Sequence, residues 1–100
     1  MNQTLSVVLP VYNAQATLSR QVADLLDVLT DWQNRFEILI VDDGSTDHTE
    51  ECARDLAREY PQLRVLRQQR REGRLSAIRT GKRQSCGQLV YVHGEEEPNW

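Results

Sequence analysis

Two adjacent aspartates, Asp42 and Asp43, leave an apolar run and enter Gly44-Ser45-Thr46-Asp47. Carboxylates at the mouth of a buried strand are unfavourable unless charge partners or hydrogen-bond donors meet them. Neighbouring residues on an extended chain point to opposite sides, so one of the pair can face a ligand while the other faces the fold. Both can equally accept N–H groups of the turn and of the helix that follows. Upstream, Pro10-Val11-Tyr12-Asn13 closes an earlier apolar run. There Tyr12 offers either a flat face for stacking on a base or a partly buried ring with a satisfied hydroxyl. Gly94-Glu95-Glu96-Glu97 adds acidic groups after the final apolar run. Eight of the twelve Lys and Arg residues (Arg64, Arg67, Arg70, Arg71, Arg74, Arg79, Lys82 and Arg83) fall between residues 64 and 83, opposed there by Glu72 alone. That stretch reads as a solvated helix face and loop or as a local phosphate-facing patch. His48 reads as a surface residue, and His93 at a strand end is open, since a lone histidine is weak grounds for a metal site.

These groups act together only if the backbone brings them to one place. Leu5–Pro10 is a short β-branched run stopped by proline, the pattern of a strand buried on both faces. From Ala14 to about Thr30 the residues Leu18, Val22, Leu25, Leu26 and Leu29 recur at helical spacing, with Asn13 expected as N-cap. Phe36–Val41 is a second strand. The following helix carries Cys52, Ala53, Leu56, Ala57 and Tyr60 on one face, with Asp47 and Glu50 as a variant capping box and Pro61 as the stop. Leu63–Leu66 gives a third strand, Leu75–Ser85 a third helix with Gly87 as its expected C-cap glycine, and Gln88–His93 a fourth strand. The connections are too long for hairpins, which predicts an α/β fold: a doubly wound, mainly parallel sheet with helices on both faces and right-handed crossovers. In such a sheet ligands collect at the carboxyl ends of the strands, where the unusual residues lie, so three polar strand ends can meet around one small molecule.

The 100 residues, 39% of them hydrophobic, suffice for one domain and one core. A net charge of −3 and a pI near 5.3 argue against a nucleic-acid partner, which a basic domain normally meets. Cys52 and Cys86 are too few and too separated for a metal pair or disulfide framework. No signal-like leader and no apolar run of about 20 residues is present, so the expectation is a cytoplasmic protein that reaches the inner face of a membrane only through segments beyond these residues.

Taken in order, Leu5-Ser-Val-Val-Leu-Pro-Val-Tyr-Asn13, Ile40-Val-Asp-Asp-Gly-Ser-Thr-Asp47, Gly73-Arg-Leu-Ser-Ala-Ile-Arg-Thr-Gly81 and Gly87 before a strand resemble the successive motifs of family 2 glycosyltransferases. A receiver domain is similar only in Ile38–Asp43: a full strand-helix unit precedes that strand here, and the ends at Leu66 and His93 offer no aspartate to phosphorylate. The resemblance implies the nucleotide-diphospho-sugar transferase fold, with UDP or GDP over the strand ends. It implies that Tyr12 stacks on the base, that Pro10 and Val11 line it through their backbone, that Asp43 bonds the base edge and that Asp42 braces the turn. Arg79, and with it Arg74, would lie near ribose and diphosphate, where guanidinium suits phosphate oxygens. The family's metal turn is aspartate-any-aspartate, whereas this chain has Gly94-Glu95-Glu96. Glu96 and Glu95 remain oxygen donors for Mg²⁺ or Mn²⁺, the alternative being a solvated acidic tail.

Two functions follow as expectations. One is the donor-binding portion of an inverting glycosyltransferase that carries sugar from a nucleotide-diphospho-sugar to an acceptor hydroxyl, inactive as this segment alone. The other is a non-catalytic nucleotide-binding or protein-interaction module with a degenerate metal turn. The exposed sheet edge would meet an acceptor half or a second copy.

Overall fold

The computed structural model describes residues 4–32 and 35–94. Its elements alternate as β1 (Leu5–Val11), α1 (Leu18–Leu29), β2 (Phe36–Asp43), α2 (Thr49–Glu59), β3 (Leu63–Gln68), α3 (Arg74–Gln84) and β4 (Leu89–Val92). The four strands form one parallel sheet in the order β3-β2-β1-β4, so the chain grows outward from β1 in one direction and then crosses back to its other side. Helices cover both faces. Val7, Leu9, Val11, Ile38 and Ile40 bury against Leu18, Val22, Leu25 and Leu29 of α1 and Ala53 of α2. The alternate positions Val8 and Val41 bury against Ala77 of α3. The two sets interleave along each strand because successive side chains leave opposite faces.

Two strands run further than their apolar residues. β2 continues through Asp42 and Asp43, and β3 through Arg67 and Gln68, which stand opposite that pair in the parallel register. The cross-strand partners Arg67 and Gln68 supply the donors that make the acidic extension tolerable. Asn13 does not cap α1: the helix begins at Leu18 after a turn closed onto the carbonyl of Ala14, and the Asn13 side chain is taken by Thr46 in the facing loop. Asp47 does not cap α2: His48 holds that position without a side-chain cap bond, and Asp47, one residue earlier, accepts the Thr49 N–H at 2.9 Å in a local turn while Glu50 bonds Arg54 instead of closing a box. Gly87 is not a C-cap glycine either. α3 ends at Gln84 with Ser85 extended, and Gly87 is needed because a Cβ there would lie 2.6 Å from the backbone nitrogen of Ser6.

At the amino ends of the strands, far from the acidic turn, Glu37 gathers three donors: the Ser6 hydroxyl at 2.6 Å, the Cys86 N–H at 2.7 Å and Arg64 at 2.9 Å. Burial alone would raise its pKa, but the bonds from Ser6, Cys86 and Arg64 outweigh that and hold it below the ordinary glutamate value. A depressed carboxylate pKa contributes stability above the unfolded-state value and loses it as pH falls through the folded one. Glu37→Gln is therefore expected to lower stability at neutral pH by about 1–2 kcal/mol and to flatten the acid limb of a stability-pH curve. Urea midpoints measured from pH 7 down to pH 3 test this, and a variant curve parallel to the parent would refute it.

β4 is an edge strand with little cover: Leu89, Val90 and Tyr91 are 40%, 42% and 53% exposed. Among the described residues no helix is long and apolar enough to cross a membrane.

Candidate functional site

The carboxyl ends of β1 and β2 are neighbours, with Val11 opposite Asp42. The loops that leave them are tied together at several points. Asn13 N–H donates to the Ser45 hydroxyl at 2.8 Å, Thr46 N–H to the Asn13 side-chain oxygen at 2.9 Å, and Ala14 N–H to the Thr49 hydroxyl at 2.8 Å. His48 N–H adds a bond to the Gln15 side chain at 2.8 Å. Asn13 takes a left-handed backbone, φ 48°, which asparagine tolerates better than most residues because its short polar side chain bonds locally. Asp47 anchors the assembly from below. Its burial raises its pKa, yet the hydroxyl and N–H of Thr49 and the N–H of Gln15 prevail and lower it.

The aspartate pair divides its work between the two faces. Asp42 is fully buried, accepts the Ser45 N–H at 3.1 Å and meets Arg67 at 2.6 Å, so it braces the turn against β3. Arg67 also reaches Glu50 at 3.5 Å and the Ser45 carbonyl at 3.3 Å. Asp43, equally buried, points to the face of α3, where it accepts Gln68 Nε2 at 2.7 Å, Glu72 N–H at 2.8 Å and Gly73 N–H at 2.9 Å. It thereby fixes a third loop, residues 69–73, against the first two. Gln68 is itself held by the hydroxyls of Thr80, at 2.8 Å, and Ser76, at 3.3 Å. Gly44, φ 68°, lets this loop close in: a Cβ there would stand 2.5 Å from the backbone C of Arg70 and N of Arg71. The loop then carries the Arg71 guanidinium over the Tyr12 ring, 4.2 Å from its centroid.

Tyr12, Asp42 and Asp43 therefore converge at one end of the sheet, with Pro10 and Val11 buried in the last two positions of β1 beside them. Arg74, the first residue of α3, is half-buried and donates to the Gly94 carbonyl at 2.8 Å, which ties the helix start to the chain leaving β4; its Nε finds no partner among the described residues. Arg79 is exposed one and a half turns further along α3, about 200° around the helix from the sheet-facing Ala77, so it lies on the outer side. Glu95 and Glu96 lie outside the described residues. His48 is exposed and bonds Glu51 at 3.0 Å, which raises its pKa; the ring of His93 lies 6.0 Å from that of Tyr91. The sequence reading did not single out Arg67, Gln68 or Arg71. A signal for the first two exists in the sequence: two polar residues end the third strand as two acids end the second.

The described residues do not offer a metal centre. Asp42 is matched by Arg67 and Asp43 is engaged by amide donors, and among the described residues no group of three or more His, Cys, Asp or Glu side chains is placed to hold a metal ion. What they do offer is recognition: an aromatic ring with a guanidinium above it, suited to a flat group attached to an anion.

The sequence profile described as Glycosyl transferase family 2 matches residues 6–93. Glycosyltransferase AglE of Haloferax volcanii is 33% identical over 96 residues, which cover 95% of this chain and 31% of that protein. The dolichyl-phosphate beta-glucosyltransferase of Saccharomyces cerevisiae is 35% identical over 83 residues, 77% of this chain and 25% of that protein. Among solved structures, a mannosyltransferase from Pyrobaculum calidifontis in complex with GDP-Man and Mn²⁺ matches with a TM-score of 0.79 at 25% identity, over 90% of this chain and 26% of that one. The chain thus spans less than a third of the length of these relatives.

Proposed function

The chain belongs to glycosyl transferase family 2, and from that premise we propose that it is the donor-binding portion of an inverting enzyme that takes sugar from a nucleoside-diphosphate donor. The observation that carries this reading is the junction of the β1 and β2 loops, which sets Tyr12 beside the buried Asp42–Asp43 pair and under a guanidinium. The Pyrobaculum enzyme holds GDP-mannose, which supports a UDP- or GDP-sugar as donor. Pro10, Val11, Tyr12 and Asp43 would border the base. Arg74 and Arg79 would serve the diphosphate, Arg79 only after its side chain folds back from the outer face of α3. Relatives named for dolichyl, dodecaprenyl and undecaprenyl phosphate favour a polyprenyl phosphate as acceptor over the hydroxyl expected from the sequence. Such an acceptor is anionic near neutral pH, so its oxygen needs little activation. It would also bring the reaction to a membrane surface, on its cytoplasmic side.

UDP and GDP titrations of the chain, with and without Mn²⁺, test the reading. We expect weak binding of one of them, reduced about ten-fold or more in Tyr12→Ala by loss of base stacking. We also expect tighter binding with Mn²⁺ through Glu95 and Glu96, an effect that Glu96→Gln should diminish. Sugar transfer by the segment alone is not expected. The exposed edge of β4 favours the second reading, an interaction module. Absence of binding of either nucleotide in both metal conditions would leave that module standing and remove the donor site.

A further inference from the structure

A nucleoside diphosphate brings charge that some cation must meet, and the Pyrobaculum relative holds its GDP-mannose together with Mn²⁺. Here the described residues place no group of three or more His, Cys, Asp or Glu side chains to hold such an ion, and the two buried aspartates are engaged by Arg67, Gln68 and loop amides. A fixed cation stands at the same end of the sheet. Arg74 opens α3 directly after Gly73, whose N–H is bonded to Asp43 at the end of β2, and its Nη2 reaches the Gly94 carbonyl just past β4. β1 lies between β2 and β4, so this guanidinium spans the end of the strand that leads to Tyr12. Building on the donor-site reading, we infer that the chain grips the diphosphate of its donor without a divalent ion, through the guanidinium of Arg74.

The donors of that guanidinium support the assignment. Nε and Nη2 form one edge of the planar group and point the same way, a pair matched to an acceptor with two oxygens. The Gly94 carbonyl offers one oxygen and takes Nη2 at 2.8 Å, while Nε is buried and has no acceptor among the described residues. Native proteins rarely leave a buried donor so. Phosphoryl oxygens in place of the carbonyl would engage both donors at once. Gly94 is exposed, and a Cβ there would come no nearer to its surroundings than 3.9 Å from Leu9, so crowding does not lock its carbonyl in place. Of the neighbouring cations, Arg64 and Arg67 are committed to Glu37 and Asp42, and Arg79 starts from the outer side of α3. Mn²⁺ adds to the grip of Arg74 and is not its precondition.

The test uses the full 100-residue chain in EDTA, with uridine, UDP, guanosine and GDP as probes. Arg74→Gln, which keeps a polar side chain near Gly94, should bind UDP or GDP about ten-fold or more weakly than the parent. Its affinity for the matching nucleoside should not change, which a general loosening of the site would not reproduce. Arg74→Lys, which keeps the charge and loses the fork, should retain part of the diphosphate affinity. In NMR of the nitrogen-labelled parent, the Arg74 Nε–H signal, assigned by its absence from Arg74→Lys, should move downfield with the diphosphate and stay in place with the nucleoside. An Nε–H signal that the bound diphosphate leaves unmoved, or an Arg74→Gln affinity that is unchanged or falls equally for nucleoside and diphosphate, would overturn the inference while leaving the donor site intact. Binding by the parent only once Mn²⁺ replaces EDTA would do the same. No binding of UDP or GDP in either condition would remove both the grip and the donor site.

Discussion

Replacing Asp43 with alanine is expected to lower the unfolding free energy by about 3 kcal/mol, a large share of the 5–15 kcal/mol typical of domains. The carboxylate is the meeting point of three donors, the buried Gln68 amide and the Glu72 and Gly73 N–H groups, and removing it strands all of them at once. Water can reach the two loop amides in part, so the loss falls short of three independent penalties. Loop 69–73 would then separate from the β1 and β2 loops, because this anchor is what draws it in. Urea denaturation of Asp43→Ala measures the first effect, and limited proteolysis between Arg70 and Arg74 the second. A shift below about 0.5 kcal/mol, the range of an ordinary surface substitution, would mean that the aspartate is dispensable to the fold. Its burial would then need another explanation.

Gly44→Ala is expected to cost about 3 kcal/mol for a different reason. Two effects combine at this residue: a left-handed backbone, φ 68°, and a Cβ position 2.5 Å from backbone atoms of Arg70 and Arg71. Left-handed geometry alone costs a side chain roughly 1–2 kcal/mol, and forcing atoms into filled space adds about 1–3 kcal/mol. Asparagine separates the two, since it tolerates the left-handed region but has the same Cβ. Gly44→Asn should recover little of the loss. Thermal melts of the parent and both variants check this; near-complete recovery with asparagine would refute the steric part of the argument and leave the left-handed backbone as the whole cost.

The fold was largely legible because its signals are local. Apolar runs such as Phe36-Glu37-Ile38-Leu39-Ile40-Val41 and the spacing of Leu18, Val22, Leu25 and Leu29 report burial directly, and the long connections leave a parallel sheet as the economical arrangement. Boundaries failed where a distant residue decided them. β2 reaches Asp43 because Arg67 and Gln68 stand across from the acids, and nothing near residue 42 announces that. Asn13 looked like a helix cap because capping chemistry suits it, but the same side-chain oxygen can accept from any nearby N–H, and Thr46 in the opposite loop won. Gly87 followed the same pattern: a glycine after a helix suggests a cap, whereas here it admits the backbone of Ser6.

At the site, the meeting of the first two strand ends could be read from topology, since adjacent parallel strands put their exits side by side. The contribution of the third loop was hidden. Arg71 was one cation among eight in a basic stretch, and what distinguishes it, its place over the Tyr12 ring, depends on how its loop packs against Gly44 and Asp43. The network of Glu37 with Ser6, Arg64 and Cys86 was equally hidden, because its members are scattered along the chain and none is unusual alone.

The strand order has a consequence for how the molecule assembles. β1 is central, yet one of its two hydrogen-bonding sides stays open until Leu89–Val92 exists, since Leu5 pairs with Leu89. During synthesis β1, β2 and β3 can zip together early, while that flank of the first strand waits as an unprotected template for whatever extended segment comes by. Pairings between residues so remote in sequence form slowly, and exposed strand flanks recruit foreign chains. Early release or slow translation near residue 89 should therefore favour clumping of nascent chains, which a chaperone shielding the open flank would suppress.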